Sequence, residues 1–152
     1  MIGIAGAHYV AAELSQLGYI ATVTSRNTEG IDLLASSSDG SKIVSIQVKT
    51  SGPENRKSYS RRWMLQEKHE NVFSDNLFYV FVDLKPGNDK PDFYVVPSLH
   101  VAKYIKERHE QWLKEPSTRT GKMHNENPMR NFKIDEKIAP QYLNRWDNLQ
   151  LL

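Results

Sequence analysis

The chain has 152 residues, enough for one domain with a substantial core, and sets 20 Lys and Arg against 18 Asp and Glu for a net charge of +2. Without cysteine it has no disulfide framework and no thiolate metal site, and so small a charge excess permits nucleic-acid binding without marking a dedicated basic DNA binder. The first residues lack the basic start of a signal peptide and no run approaches the roughly 20 apolar residues that span a bilayer, so a cytoplasmic protein with no membrane partner is expected.

Ala7, Val10, Ala11, Leu14 and Leu17 recur at helical spacing, and Gly18 reads as the stop. At 100° per residue Glu13 lies on the flank of that stripe beside Leu17, where a carboxylate can look past the core edge toward a neighbouring sheet. The alternative is an ordinary solvated glutamate.

Two short apolar runs follow, Gly30-Ile31-Asp32-Leu33-Leu34-Ala35 and Ile43-Val44-Ser45-Ile46-Gln47-Val48-Lys49. With Asp39-Gly40 as a two-residue turn they form a hairpin in which residues whose numbers total 79 face each other. Asp32 then lies opposite Gln47. Side chains alternate along a strand, so Gln47 and Lys49 share a face with Asp32, while Val44, Ile46 and Val48 point into a core. Directly opposed Cβ atoms are about 4.5 to 5.5 Å apart, close enough for a cation to bridge the carboxylate and the amide. A wet edge-strand face is the competing interpretation of the same three polar residues.

The order of these residues, Glu13 on a helix, Asp32 on a strand and Gln47-Val48-Lys49 on the next, resembles the PD-(D/E)XK nuclease superfamily. The match is to Mrr-type restriction nucleases and Holliday-junction resolvases, over roughly residues 5 to 50, with Gln in place of the usual acidic residue of the last motif. The resemblance implies a restriction-endonuclease-like fold and a Mg2+-dependent (or Mn2+-dependent) endonuclease acting on DNA. It implies Asp32, Gln47 and Glu13 as metal ligands, and Lys49 as the group that positions or activates the attacking water. The chemistry suits hard oxygen donors, because Mg2+ keeps several waters and needs one or two side-chain oxygens plus a phosphate. An amide at position 47 brings no negative charge, which predicts weaker metal binding than a carboxylate there.

Between residues 54 and 68, Arg56, Lys57, Arg61, Arg62 and Lys68 stand against Glu54 and Glu67, with Tyr59 and Trp63 interleaved. Such a segment can grip phosphates while an aromatic face stacks on a base, giving Arg56, Lys57, Arg61, Arg62 and Trp63 as candidate nucleic-acid contacts. It can equally be a solvated loop entering a helix, with Trp63 packed inward.

Leu77-Phe78-Tyr79-Val80-Phe81-Val82 is apolar on both parities and reads as a central buried strand. Phe93-Tyr94-Val95-Val96 follows the turn signal Pro86-Gly87-Asn88 as another strand. A helix is expected from Ser98 to Lys114 with a stripe of Val101, Ile105, Arg108 or His109, and Trp112, before Pro116. Residues 115–133 read as a long loop in which Lys122, His124 and Arg130 are surface groups, or else substrate contacts. None of the five histidines pairs at zinc-ligand spacing. Tyr142, Leu143, Trp146 and Leu149 after Pro140 suggest a short amphipathic helix docked on the core, or on a second copy in a homodimer.

The whole chain, 1–152, is thus expected to be a single α/β domain, its order α-β-β-β-(α)-β-β-α building a mixed sheet flanked by helices. Three functions fit: a metal-dependent DNA endonuclease, an inactive nuclease-fold module that binds nucleic acid, and an interaction scaffold.

Overall fold

The computed structural model describes residues 1–25, 28–53 and 61–152. Its centre is a five-stranded sheet of β1 (Ile20–Val23), β2 (Leu33–Ser36), β3 (Ile43–Ser51), β5 (Leu77–Asp83) and β6 (Asp92–Pro97), in the spatial order β1-β2-β3-β5-β6. All neighbours run antiparallel except β3 and β5, which are parallel. A parallel pair needs a long crossover. Here that crossover carries β4 (Arg61–Gln66) and a 3-10 turn (Glu67–Asn71), and β4 pairs with the distant β7 (Met129–Ile134) as a separate two-stranded ribbon. Helices α1 (Ile2–Gln16) and α2 (Ser98–Lys114) complete the domain, the mixed sheet flanked by helices that the sequence implied.

Helix α1 buries Gly6, Ala7, Val10 and Leu14, one stripe at helical spacing. It stops where expected: Gly18 takes φ +87°, a left-handed conformation that glycine adopts without a Cβ penalty, and the amides of Leu17, Gly18 and Tyr19 close back on Glu13, Ser15 and Leu14. The hairpin register is also the expected one, with Leu33 opposite Ile46 and Ala35 opposite Val44. The turn is wider than two residues. Asp39 Oδ1 accepts hydrogen bonds from Ser37 Oγ, Ser41 N and Ser41 Oγ at 2.7, 3.0 and 2.8 Å, and Ser37 N donates to Lys42 O, which carries the same register into the loop. Those bonds, led by the Ser41 amide, pull the Asp39 carboxyl down to about 2.

Two cores lie on opposite faces of the sheet. On one, α1 together with Trp146, Leu149 and Leu151 of the C-terminal segment packs with Val44, Ile46, Val48, Phe78, Val80 and Val82. On the other, α2 and the β4–β7 ribbon cover Tyr79, Phe81, Tyr94 and Val96. Phe81 is stacked there between Tyr79 and Phe132, with ring centroids 5.6 and 4.6 Å away.

Three expectations are corrected. Residues 61–66 do not lead a loop into a helix, and 129–134 do not belong to a loop: the two segments pair, placing Trp63, Leu65, Phe132 and Ile134 inward at a period of two. The partners are more than sixty residues apart, so neither segment carries a local hairpin signal. The C-terminal segment is not one helix but two 3-10 turns, Ala139–Gln141 and Trp146–Leu149, separated by Asn144 at φ 53°, a left-handed residue that a continuous right-handed helix does not admit. Tyr142, Trp146 and Leu149 are nonetheless buried on the domain's own core. Helix α2 has its expected bounds, and His109 rather than Arg108 is the buried member of its stripe. Among the described residues no helix is long and apolar enough to cross a membrane.

Candidate active site

Asp32 stands where β2 and β3 begin to part. Its amide donates to Ile46 O at 2.8 Å, and its Oδ2 accepts the Val48 amide at 2.7 Å, so the carboxylate replaces a strand partner at the point where the ladder with β2 has ended. This anchors the acid on β3 and leaves Oδ1 for other partners. Gln47, only 8% exposed, projects from β3 on the face opposite Val48 and has Tyr79 as its neighbour on β5. Lys49, two residues on and half-buried, follows on the same face. Burial pushes its ammonium below the usual lysine range; nearby Asp32 opposes that shift and Lys68 adds to it. Asp32, Gln47 and Lys49 therefore form one polar patch over the hairpin's end.

Two neighbours come from the 3-10 turn. The His69 ring accepts the Gln66 amide on Nδ1 at 2.9 Å and meets the edge of Tyr79 at 6.4 Å between centroids. Burial first, then Lys49, holds its pKa below the ordinary histidine value, with Lys68 adding to the effect and the Gln66 backbone bond opposing it. Lys68 pairs with Glu29 at 3.1 Å, both side chains exposed, a contact of little energetic weight. Tyr79 Oη is buried without a hydrogen-bond partner among the described residues, and burial raises its phenol to about 12. The sequence offered no spacing signal for His69 or Tyr79, because the register of β5 beside β3 and the path of the crossover bring them here.

Glu13 is not brought to this group. Its carboxylate binds Lys90 at 2.7 Å, on the helix that covers the other face of the sheet. Of the basic stretch, Arg56 and Lys57 lie outside the described residues. Arg62 is exposed and Arg61 sits over the Tyr94 ring at 5.6 Å. Trp63 is 3% exposed, donates Nε1–H to Val82 O and packs on Phe81 and Tyr94, so it cannot stack on a base. The inward parity of β4 decides this. Arg130 is likewise no surface group: it is 4% exposed, with Nε 2.6 Å from Glu70 and Nη1 donating to Asn127 O and Met129 O. His124 lies on the Trp112 ring and bonds to its backbone, while Lys122 is exposed.

Among the described residues, no three His, Cys, Asp or Glu side chains cluster as a metal site. The Asp32 carboxylate and the Gln47 amide are still hard oxygen donors on one face, and such a pair fits a divalent ion that keeps most of its waters.

No protein-family model and no curated protein matches this chain. Solved structures do. The bacterial homing endonuclease I-Ssp6803I is similar over 98% of this chain and 91% of its own, with a TM-score of 0.59 at 13% identity. The Holliday junction resolvase Hjc of the archaeal hyperthermophile Archaeoglobus fulgidus is similar over 99% and 97%, with a TM-score of 0.51 at 17% identity. The chain therefore shares the fold of these two structures, the restriction-endonuclease-like fold that the sequence implied.

Proposed function

We propose that the protein is a metal-dependent endonuclease acting on DNA, with Asp32, Gln47 and Lys49 as its catalytic group. The observation that carries this reading is the placement of Gln47 and the half-buried Lys49 on one face of β3, beside an Asp32 carboxylate held by the Val48 amide at 2.7 Å, on a nuclease fold. That both similar structures are of DNA-processing nucleases supports it further. A bound Mg2+ or Mn2+ would polarise the scissile phosphate and acidify a coordinated water. Asp32 and Gln47 would hold the ion, while the Asp32–Val48 bond keeps the carboxylate oriented. In hydrolysis a water oxygen bonds to phosphorus, one P–O ester bond breaks, and the freed sugar oxygen takes up a proton. Lys49 Nζ is the group here suited to hold or move a proton beside the attacking water, since its burial makes the neutral amine more accessible than in an exposed lysine. Glu13 is engaged by Lys90 and has no part in this scheme.

Purified protein incubated with single-stranded, duplex and branched DNA in Mg2+ or Mn2+ should cleave at least one, and Asp32→Ala should abolish cleavage. Lys49→Ala should slow it by about 100- to 1,000-fold, the usual effect of removing one transition-state contact, and should remove from the pH–rate profile the rise due to Lys49 losing its proton. A second reading is favoured by Gln47 itself. An amide without charge suits a fold that binds nucleic acid without cutting it; silence of both the native chain and Gln47→Glu with Mn2+ would decide for that module.

A further inference from the structure

A cavity of about 420 Å³ lies away from the Asp32–Lys49 patch, between α2 and the β4–β7 ribbon. It is large enough for a small ligand or one nucleotide unit. Its rim carries Arg62, Arg108 and Lys133, all exposed. Arg62 and Lys133 are directly opposed across the ribbon, an arrangement of like charges that weakens an antiparallel pair and that an anion between them would relieve.

The surrounding acids do not neutralise these cations. Glu70 is committed to Arg130 at 2.6 Å, and Glu126 to His109 at 2.6 Å. Asp135 Oδ1 caps the amides of Lys137 and Ile138, and Glu115 reaches Arg108 only at 3.8 Å with both side chains about half exposed. Among the described residues, Arg62 and Lys133 have no carboxylate partner.

The aromatic lining decides what kind of anion fits. Trp112 is flanked on its ring by His109 at 5.4 Å and His124 at 4.0 Å, both near-parallel, and Tyr104 is set edge-on against Phe132. With His109 and His124 stacked on it, the Trp112 indole is not open to a base. The cavity offers cations at its mouth and the amides of Asn127 and Asn131 in its lining, groups suited to phosphate oxygens.

We propose that this groove binds the phosphodiester backbone of a nucleic acid, independently of sequence, through Arg62, Arg108 and Lys133. The proposal rests on the nucleic-acid reading above and extends it to a surface that also lies on the candidate site's face of the sheet. The 3-10 turn lies between the two: its Lys68 acts electrostatically on Lys49 and Lys49 in turn on its His69, while Glu70 of the same turn holds Arg130 in the groove wall.

The test is binding of a fluorescein-labelled duplex in EDTA, where no cleavage occurs, across a salt series. Each neutralised phosphate contributes about 0.9 to the slope of log affinity against log salt on duplex DNA, so replacing Arg62, Arg108 and Lys133 together by Gln should lower that slope by roughly 2 to 3. Lys103→Gln with Lys106→Gln, exposed on another side of α2, should leave it unchanged. If the triple variant does not fold, Arg108→Gln and Lys133→Gln singly should each lower the slope by about 1. An unchanged slope, an equal fall in the Lys103/Lys106 control, or no binding by the native chain overturns the groove. Cleavage with Mn2+ is read separately: a groove variant that binds normally while the native chain cuts DNA refutes only the groove, and a lost slope in a protein that never cuts DNA refutes only the nuclease.

Discussion

The two faces of the central sheet are packed with similar completeness but built differently. One is covered over Val44, Ile46 and Val48 by the local helix α1, with Trp146, Leu149 and Leu151 of the C-terminal segment completing that core. The other is covered by pieces from distant parts of the chain, namely α2, the β4–β7 ribbon and the 3-10 turn, and at the hairpin end it is polar. The same strand β3 serves both, because alternation sends Ile46 and Val48 to the helix and Gln47 and Lys49 to the patch. A strand can thus combine core and chemistry only if what covers one side stops short of the other's polar residues.

Replacing Ile46 by Ala should break the helix-covered side, costing about 2 to 5 kcal/mol in urea unfolding, since a fully buried side chain leaves a cavity under α1. Lys49→Met, three residues along β3 and on the other side, should cost less than about 1 kcal/mol, because it keeps most of the side-chain volume and leaves no cavity under α1. Equal losses from the two variants would dissolve the distinction between the faces.

A smaller effect on the helix side is expected from Gly6→Ala. A Cβ there would run into Thr50 Oγ1, a β-branched side chain with little freedom to move, so α1 must lift from β3 at a cost of about 1 to 3 kcal/mol. A melting temperature unchanged by the substitution would show that α1 is seated less closely than this contact requires.

The smallest change expected is in pH dependence on the polar side. Folded His69 holds its proton less tightly than an unfolded histidine. Its contribution to stability is therefore full above the ordinary value of about 6.5 and is lost as pH falls through that value toward the lower folded one. Unfolding free energies at pH 7.5 and 5.5 should fall less in His69→Gln than in the native chain. An identical fall would mean that His69 is not the group whose protonation is resisted.

The hairpin, its register and the parity of Asp32, Gln47 and Lys49 were legible in the sequence because they depend on alternation and a nearby turn, both local. The same is true of α1, α2 and the buried strands β5 and β6, whose apolar patterns are long and uninterrupted. Tertiary structure alone decided the rest. Trp63 and Arg130 became core residues because β4 and β7 found each other across a long separation, and a polar-rich segment carries no mark of such a partner. Asp32 acquired its anchor, the Val48 amide, only because β2 ends before β3 does. Glu13 was drawn to Lys90, a charge on a remote loop, and His69 was carried to Lys49 by the crossover that a parallel β3–β5 pair requires. Local periodicity determines which face a side chain takes; only the assembled chain determines what it meets there.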